Sequence, residues 1–166
     1  MHPSWRAIRM RCVTMITPAA LLLLVASSHA TPIPGGFDST GEERRAIETL
    51  LNTYTTAVST KNQALFETLL LNRKISFSGV PTVNQALAAD GATQNYERFR
   101  KGVFEGAPFQ QRFENVHIQQ DGPLAQVSVV FVNSDAQGST WGWKTMQLLK
   151  ITGHWKIASE FYTGHG

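Results

Sequence analysis

Apolar residues recur at helical spacing through the first half of the region after residue 41, and at alternate positions through its second half. The helical spacing predicts three helices, over residues 42–60, 63–71 and 95–105. Polar, Gly- or Pro-containing segments separate each helix from the next element of the chain. The apolar face of the first helix consists of Ile47, Leu50, Leu51, Tyr54 and Val58.

The alternating pattern predicts a short strand and then four longer strands joined by hairpins. They cover residues 75–78, 109–120, 124–132, 141–151 and 155–162. Residues 133–138 are polar and predict a hairpin loop, and Gly-containing turns join the other long strands. In the last strand, alternation places Trp155, Ile157, Ser159 and Phe161 on one face. Helices followed by a run of antiparallel strands predict an α+β domain, with the helices on one face of a curved sheet.

The N-terminal segment has the three parts of an export signal. Arg6, Arg9 and Arg11 precede an apolar stretch over residues 13–27, and Ser28-His29-Ala30 fits a small-x-small cleavage site. The stretch covers 15 residues, and a spanning helix needs roughly 20. We therefore expect a cleaved signal peptide over 1–30, export to the periplasm or extracellular space, and no stable membrane anchor. A flexible lead-in over 31–41 and one domain over 42–166 complete the predicted organisation.

Removal of the signal changes the charge and the chemistry available. Three of the 15 basic residues and none of the 12 acidic residues lie in the first 30, which leaves 12 of each. No basic excess then remains to suggest a nucleic-acid partner. The single cysteine, Cys12, also leaves with the signal. We find no metal-binding, nucleophile-elbow or phosphate-loop motif, and we predict neither a cofactor nor a metal.

The order of elements and the end of the chain resemble the nuclear transport factor 2-like superfamily. The residues Leu148-Leu149-Lys150-Ile151-Thr152-Gly153-His154-Trp155-Lys156-Ile157 are most similar to its branches named for lumazine binding and polyketide cyclisation. The first-helix residues Ala46, Ile47, Leu50 and Tyr54 fit the same pattern, and the resemblance covers about Glu42 to Tyr162. It implies a cone-shaped, curved antiparallel sheet wrapped around N-terminal helices, as in cystatin-like rolls. It also implies a pocket at the wide end and a homodimer through the outer sheet face. Because this fold carries enzymes, ligand binders and assembly domains, the resemblance implies no single function.

The catalytic residues of this superfamily are only partly matched. Its ketosteroid isomerases use a Tyr on the first helix, an Asp base after the second helix and a protonated Asp on a late strand. Tyr54 matches the first position, but Ser78 and Gln147 stand near the other two and carry no carboxyl group. We therefore do not expect isomerase activity of that type.

Other members of the superfamily, the cyclases and dehydratases, use buried His and Asp pairs. His117 and Glu160 form such a dyad if their strands bring them together, and with Tyr54 they are the catalytic candidates. The alternative is that His117 lies on the rim or the outer face of the sheet.

A ligand pocket is the other expectation. The residues predicted to line it are Tyr54, Phe99, Phe131, Trp143 and Gln147. They suit a small apolar or aromatic molecule, although period-two aromatics also form cores and dimer interfaces. Lys144 and Arg98 either hold an anionic group or belong to a solvated face. Three functions remain open: an exported ligand-binding domain, a cofactor-free cyclase, isomerase or dehydratase, and a homo-oligomeric assembly module without ligand.

Overall fold

The computed structural model describes residues 35–80 and 93–165. The predicted signal peptide, residues 31–34 of the lead-in and the segment 81–92 lie outside the described residues. The helices are α1 (Gly41–Ser59), α2 (Gln63–Glu67) and α3 (Tyr96–Arg100), and a π-helical turn (Lys101–Glu105) continues α3. The strands are β1 (Ser76–Val80), β2 (Thr93–Asn95), β3 (Gln110–Asp121), β4 (Leu124–Asp135), β5 (Gly138–Ile151) and β6 (His154–Thr163).

The described strands form one curved six-stranded sheet in the order β2-β1-β6-β5-β4-β3. Neighbours are antiparallel except for β1 and β6, which run parallel. Strands β3 to β6 form the predicted meander, and the helices precede it in the chain. Tight turns at Gly122 and at Thr152-Gly153, with positive φ angles, join the long strands. The predicted α+β class is confirmed.

The secondary structure departs from the prediction chiefly at three points. Helix α2 ends at Glu67 because the next residues turn towards β6, where the Leu71 amide donates to the Ile157 carbonyl at 2.9 Å. The predicted loop over 133–138 is mostly strand, since β4 and β5 pair as far as Asp135 and Gly138. Strand β2 was not predicted from the sequence.

Alternation along β3 to β6 gives the sheet an inner and an outer face. The inner face packs against the helices and forms the core with α1, where Ile47 and Tyr54 are completely buried. The outer face carries large apolar side chains that are about half exposed in this chain. They include Trp141, Trp143 and Phe161, at 49%, 52% and 49% exposure.

Candidate functional site

A cavity of about 280 Å³ lies between the inner face of the sheet and the segment formed by α3 and the π-helical turn. We call it the inner cavity. Aromatic and aliphatic side chains make up much of its wall, with polar groups among them, as in many small-molecule sites. Its lining residues are Arg98, Phe99, Gly102, Val103, Phe109, Gln111, Phe131, Asn133, Lys144, Glu160 and Tyr162.

Three buried polar side chains are in mutual contact at the inner cavity, and we call them the buried triad. Lys144 Nζ lies 2.8 Å from Glu160 Oε1 and donates a hydrogen bond of 2.6 Å to the Tyr54 hydroxyl. That hydroxyl donates to Glu160 Oε2 at 2.9 Å. Helix α1, β5 and β6 each supply one residue, so the triad exists only in the folded chain. Lys144 and Glu160 line the cavity, whereas Tyr54, contrary to the prediction, is not among its lining residues and reaches it only through these two side chains.

Burial determines the electrostatics of the buried triad. Burial lowers the pKa of Lys144, and the Glu160 carboxylate acts in the opposite direction. Burial also raises the pKa of Tyr54 well above its usual value, and the Glu160 charge adds to this rise. Tyr54 therefore stays protonated at neutral pH. Aromatic rings surround the amine as well, since Lys144 Nζ lies 4.6 Å from the ring centre of Tyr54 and 5.2 Å from that of Phe131.

Two acceptor oxygens in the inner cavity lack a hydrogen-bond donor among the described residues. Gln111 Nε2 donates to Asn133 Oδ1 at 2.7 Å, while the buried Gln111 Oε1 has no such partner. Glu160 Oε1 contacts Lys144 Nζ as an ion pair, but its angles do not meet those of a hydrogen bond. The Lys144 charge compensates Glu160 Oε1, so Gln111 Oε1 is the acceptor that the described residues leave unpaired, which is costly for a buried group.

The wall opposite the sheet is held in place by a lysine. Lys61 Nζ donates to the carbonyl oxygens of Val103 and Ala107, at 2.5 and 2.8 Å. The same nitrogen lies 4.4 Å from the ring centre of Phe109. These contacts fix the π-helical turn, which presents Gly102 and Val103 to the cavity. Short π-helical segments occur frequently at functional sites.

The structure brings four of the predicted site residues together. Tyr54 and Glu160 are in contact, and Phe99 and Phe131 line the same cavity. Lys144 is only 3% exposed, so the alternative that it belongs to a solvated face is wrong. Its alternation with the buried Met146 and Leu148 along β5 is the sequence signal that would have placed it inside.

The predicted dyad of His117 and Glu160 does not form. His117 is exposed and pairs with Ser128 across β3 and β4, on the outer face. The reason is a bulge in β3 between Glu114 and His117, where Asn115 has a φ of 50°. The extra residue moves His117 to the face opposite Phe113. The spacing of the apolar residues indicates this bulge, since Val116 follows Phe113 by three positions and Ile118 follows Val116 by two.

Trp143 and Gln147 also lie outside the inner cavity, contrary to the prediction. Both alternate with the buried residues of β5 and therefore point to the outer face. Trp143 Nε1 donates to Ser128 Oγ at 2.8 Å. Together with Thr145 and Phe161, Trp143 lines a separate depression on that face.

The described part of the chain contains neither a group of metal-binding side chains nor a membrane-spanning helix. Within residues 35–80 and 93–165, no three His, Cys, Asp or Glu side chains are grouped so that they could hold a metal ion. Among the helices of the same ranges, none has the length and apolar character to cross a membrane.

Comparison with solved structures identifies the fold. A nuclear transport factor 2-like protein from Cytophaga hutchinsonii matches with a TM-score of 0.61 and 15% identity, over 75% of this chain and 100% of that one. A nuclear transport factor 2-like protein of unknown function from Shewanella baltica gives 0.56 and 18%, over 77% and 99%. A protein of unknown function with a cystatin-like fold, from Nostoc punctiforme, gives 0.60 and 12%, over 77% and 95%.

These likenesses confirm the predicted nuclear transport factor 2-like fold. No protein-family model matches the chain, and no curated protein matches it. At identities of 12–18%, the matched structures speak for the fold alone. Function must therefore be argued from the residues of the inner cavity.

Proposed function

We propose that this chain binds a small molecule with a flat apolar body and one hydrogen-bond-accepting group in the inner cavity. The observation that carries the proposal is Lys144, a buried amine on the wall of a largely apolar cavity. A lysine ammonium has three N–H donors, and described residues supply two oxygen partners, from Tyr54 and Glu160. The remaining donor is suited to a carboxylate or carbonyl oxygen of the ligand.

The walls of the inner cavity support the choice of an aromatic body. Phe99, Phe109 and Phe131 offer ring faces and edges against which a flat molecule packs well. The unpaired Gln111 Oε1 is suited to a single N–H or O–H donor on the ligand. At about 280 Å³ the cavity is slightly smaller than most small-molecule sites, about 300–1,000 Å³. This volume favours a ligand of one or two rings.

Export and dimerisation complete the proposal. Residues 1–30 have the pattern of a signal peptide, so we infer that the domain acts in the periplasm or outside the cell. The half-exposed Trp141, Trp143 and Phe161 form an apolar patch on the outer face. Such patches mark interaction sites, and we infer that a second copy of the chain covers this one.

A cofactor-free enzyme is the second candidate function. The contact between Glu160, Lys144 and Tyr54 favours it, because acid–base catalysis needs titratable groups within hydrogen-bonding distance of one another. The third possibility, a pure assembly module, is favoured less. A cavity with a buried lysine on its wall is not what an assembly role requires.

The test is a binding titration with a panel of aromatic carboxylates from benzoate to 2-naphthoate, in which calorimetry and NMR measure the binding. We expect saturable binding that Val103→Trp abolishes, because the larger side chain fills the inner cavity. Trp143→Ala is the matched control on the outer face and is expected to bind like wild type. Equal binding by wild type and V103W, or no saturable binding of any panel member, would refute the proposal.

A further inference from the structure

We propose that Lys144 reacts covalently with aldehydes and ketones that enter the inner cavity, forming an imine through its Nζ. The inference rests on the proposed ligand-binding function and adds a substrate class, carbonyl compounds with a flat apolar body. It adds a reaction as well, in which Glu160 moves the protons and Tyr54 positions the amine.

Lys144 differs in exposure from two other lysines of the described chain. Lys74 and Lys101 are exposed, so water stabilises their ammonium forms. Lys144 is 3% exposed and lies on the cavity wall. Burial lowers its pKa, which increases the fraction of the nucleophilic neutral amine. Lysines in apolar surroundings are activated for imine formation in this way.

A proton acceptor lies next to the amine. Glu160 Oε1 is 2.8 Å from Lys144 Nζ and takes one proton from the ammonium, which leaves the neutral amine. The amine attacks the carbonyl carbon, a C–N bond forms and the C=O π bond breaks. Protonated Glu160, on the cavity wall, gives its proton to the new alkoxide oxygen and takes the second proton from nitrogen, which gives a neutral carbinolamine and leaves Glu160 protonated. The Tyr54 hydroxyl accepts a hydrogen bond of 2.6 Å from Nζ and so positions the amine beside Glu160.

Loss of water completes the reaction. Glu160 returns its proton to the carbinolamine hydroxyl, the C–O bond breaks, and the nitrogen lone pair forms the C=N bond. Ammonium and carbonyl have then become a protonated imine and one water, with the charge unchanged and nothing oxidised or reduced. The protonated imine is a cation like the ammonium it replaces. The Glu160 carboxylate and the ring of Phe131, 5.2 Å from Nζ, therefore stabilise it as well.

The test is reductive trapping with 2-naphthaldehyde and sodium cyanoborohydride, with the modified lysine located by peptide mass mapping. We expect Lys144 to be labelled well before the exposed Lys74 and Lys101. Glu160→Gln is expected to slow labelling at Lys144 by on the order of 100-fold or more, the range of general acid–base effects. The labelling of Lys74 should not change in that variant.

V103W separates reactivity from folding, because it closes the inner cavity and leaves the buried triad in place. It is expected to lose labelling at Lys144 and to retain labelling at Lys74. If 2-naphthoate binds wild type but Lys144 is labelled no faster than Lys74, the imine inference is overturned and the binding proposal stands. If there is neither saturable binding nor preferential labelling, both are overturned.

Discussion

Lys144 Nζ and Glu160 Oε1 lie 2.8 Å apart, in side chains that are 4% and 0% exposed. The protein with an intact buried ion pair is more stable than the protein with one partner removed, because removal leaves an uncompensated charge in a medium of low polarity. The pair gives no stability beyond that comparison. Tyr54 bridges the pair through its hydroxyl. The pair is therefore a costly arrangement for folding alone, and such arrangements are frequent at functional sites.

The energetic cost of the pair leads to the first prediction. Lys144→Met is expected to lower the free energy of unfolding by about 3–5 kcal/mol, since Glu160 is left buried and unpaired. A triple variant replaces the buried triad with apolar residues, through Tyr54→Phe, Lys144→Met and Glu160→Leu. It is expected to recover most of that loss. Urea denaturation measures both. A triple variant that is as unstable as the sum of its single substitutions would contradict this account.

The second prediction concerns the start of α1 and its dependence on pH. Glu43 accepts hydrogen bonds from Lys150 Nζ and, at 2.9 Å, from Trp155 Nε1, so it ties the first turn of α1 to the sheet. The hydrogen bonds from Lys150 and Trp155 lower the pKa of Glu43, although burial opposes them. A lowered folded-state pKa stabilises the protein above the unfolded value of 4.5. That stabilisation is lost as the pH falls through the folded-state pKa.

The measurement compares Tm values of wild type and Glu43→Gln between pH 7 and pH 3. We expect a lower Tm for the variant at pH 7 and a gap that closes in acid, as the carboxylate of the wild type becomes protonated. Glu42→Gln, an exposed neighbour in the same turn, is the matched control. A gap of the same size at pH 3 and pH 7 would rule out a contribution from the charge of Glu43.

The third prediction concerns the outer face. Phe161→Glu is expected to convert the inferred dimer into a monomer, because a carboxylate in the apolar patch opposes its burial against a second copy. Sedimentation velocity measures the change. Leu71→Glu places the same charge on another exposed apolar residue, 37% accessible, which does not line the depression at Trp143 and Phe161, and it is expected to remain dimeric. A wild-type monomer at high concentration would remove the basis for the inferred dimer.

The sequence predicted the elements better than the faces of the strands. Alternation and helical spacing located α1 and the four long strands within a few residues, because these patterns reflect burial directly. Bulges are harder to predict, since one extra residue reverses the side-chain direction of everything beyond it. A register shift between β5 and β6 at Gln147/Leu148 turns Phe161 outwards, against the prediction that it shares a face with Trp155. The same shift places Glu160 inside.

The candidate site was only partly predictable from the sequence, because local patterns locate some of its residues and not others. Tyr54 belongs to an uninterrupted helical face, so its burial followed from spacing alone. Lys144 carries a charge that normally favours exposure, and its placement depends on partners more than 15 residues away, on β6 and α1. Such long-range pairing has no local pattern in the sequence, although alternation with Met146 and Leu148 along β5 indicates the face on which Lys144 lies. The inner cavity is likewise defined by tertiary contacts, among them those of Lys61 with the π-helical turn.

The most direct test is a crystal structure of the protein soaked with 2-naphthoate. The account predicts a carboxylate oxygen within hydrogen-bonding distance of Lys144 Nζ and the rings against Phe131 in the inner cavity. The contrary result is an inner cavity without the molecule, or the rings stacked on Trp143 at the outer face. That result would mean that the buried triad is not a ligand site.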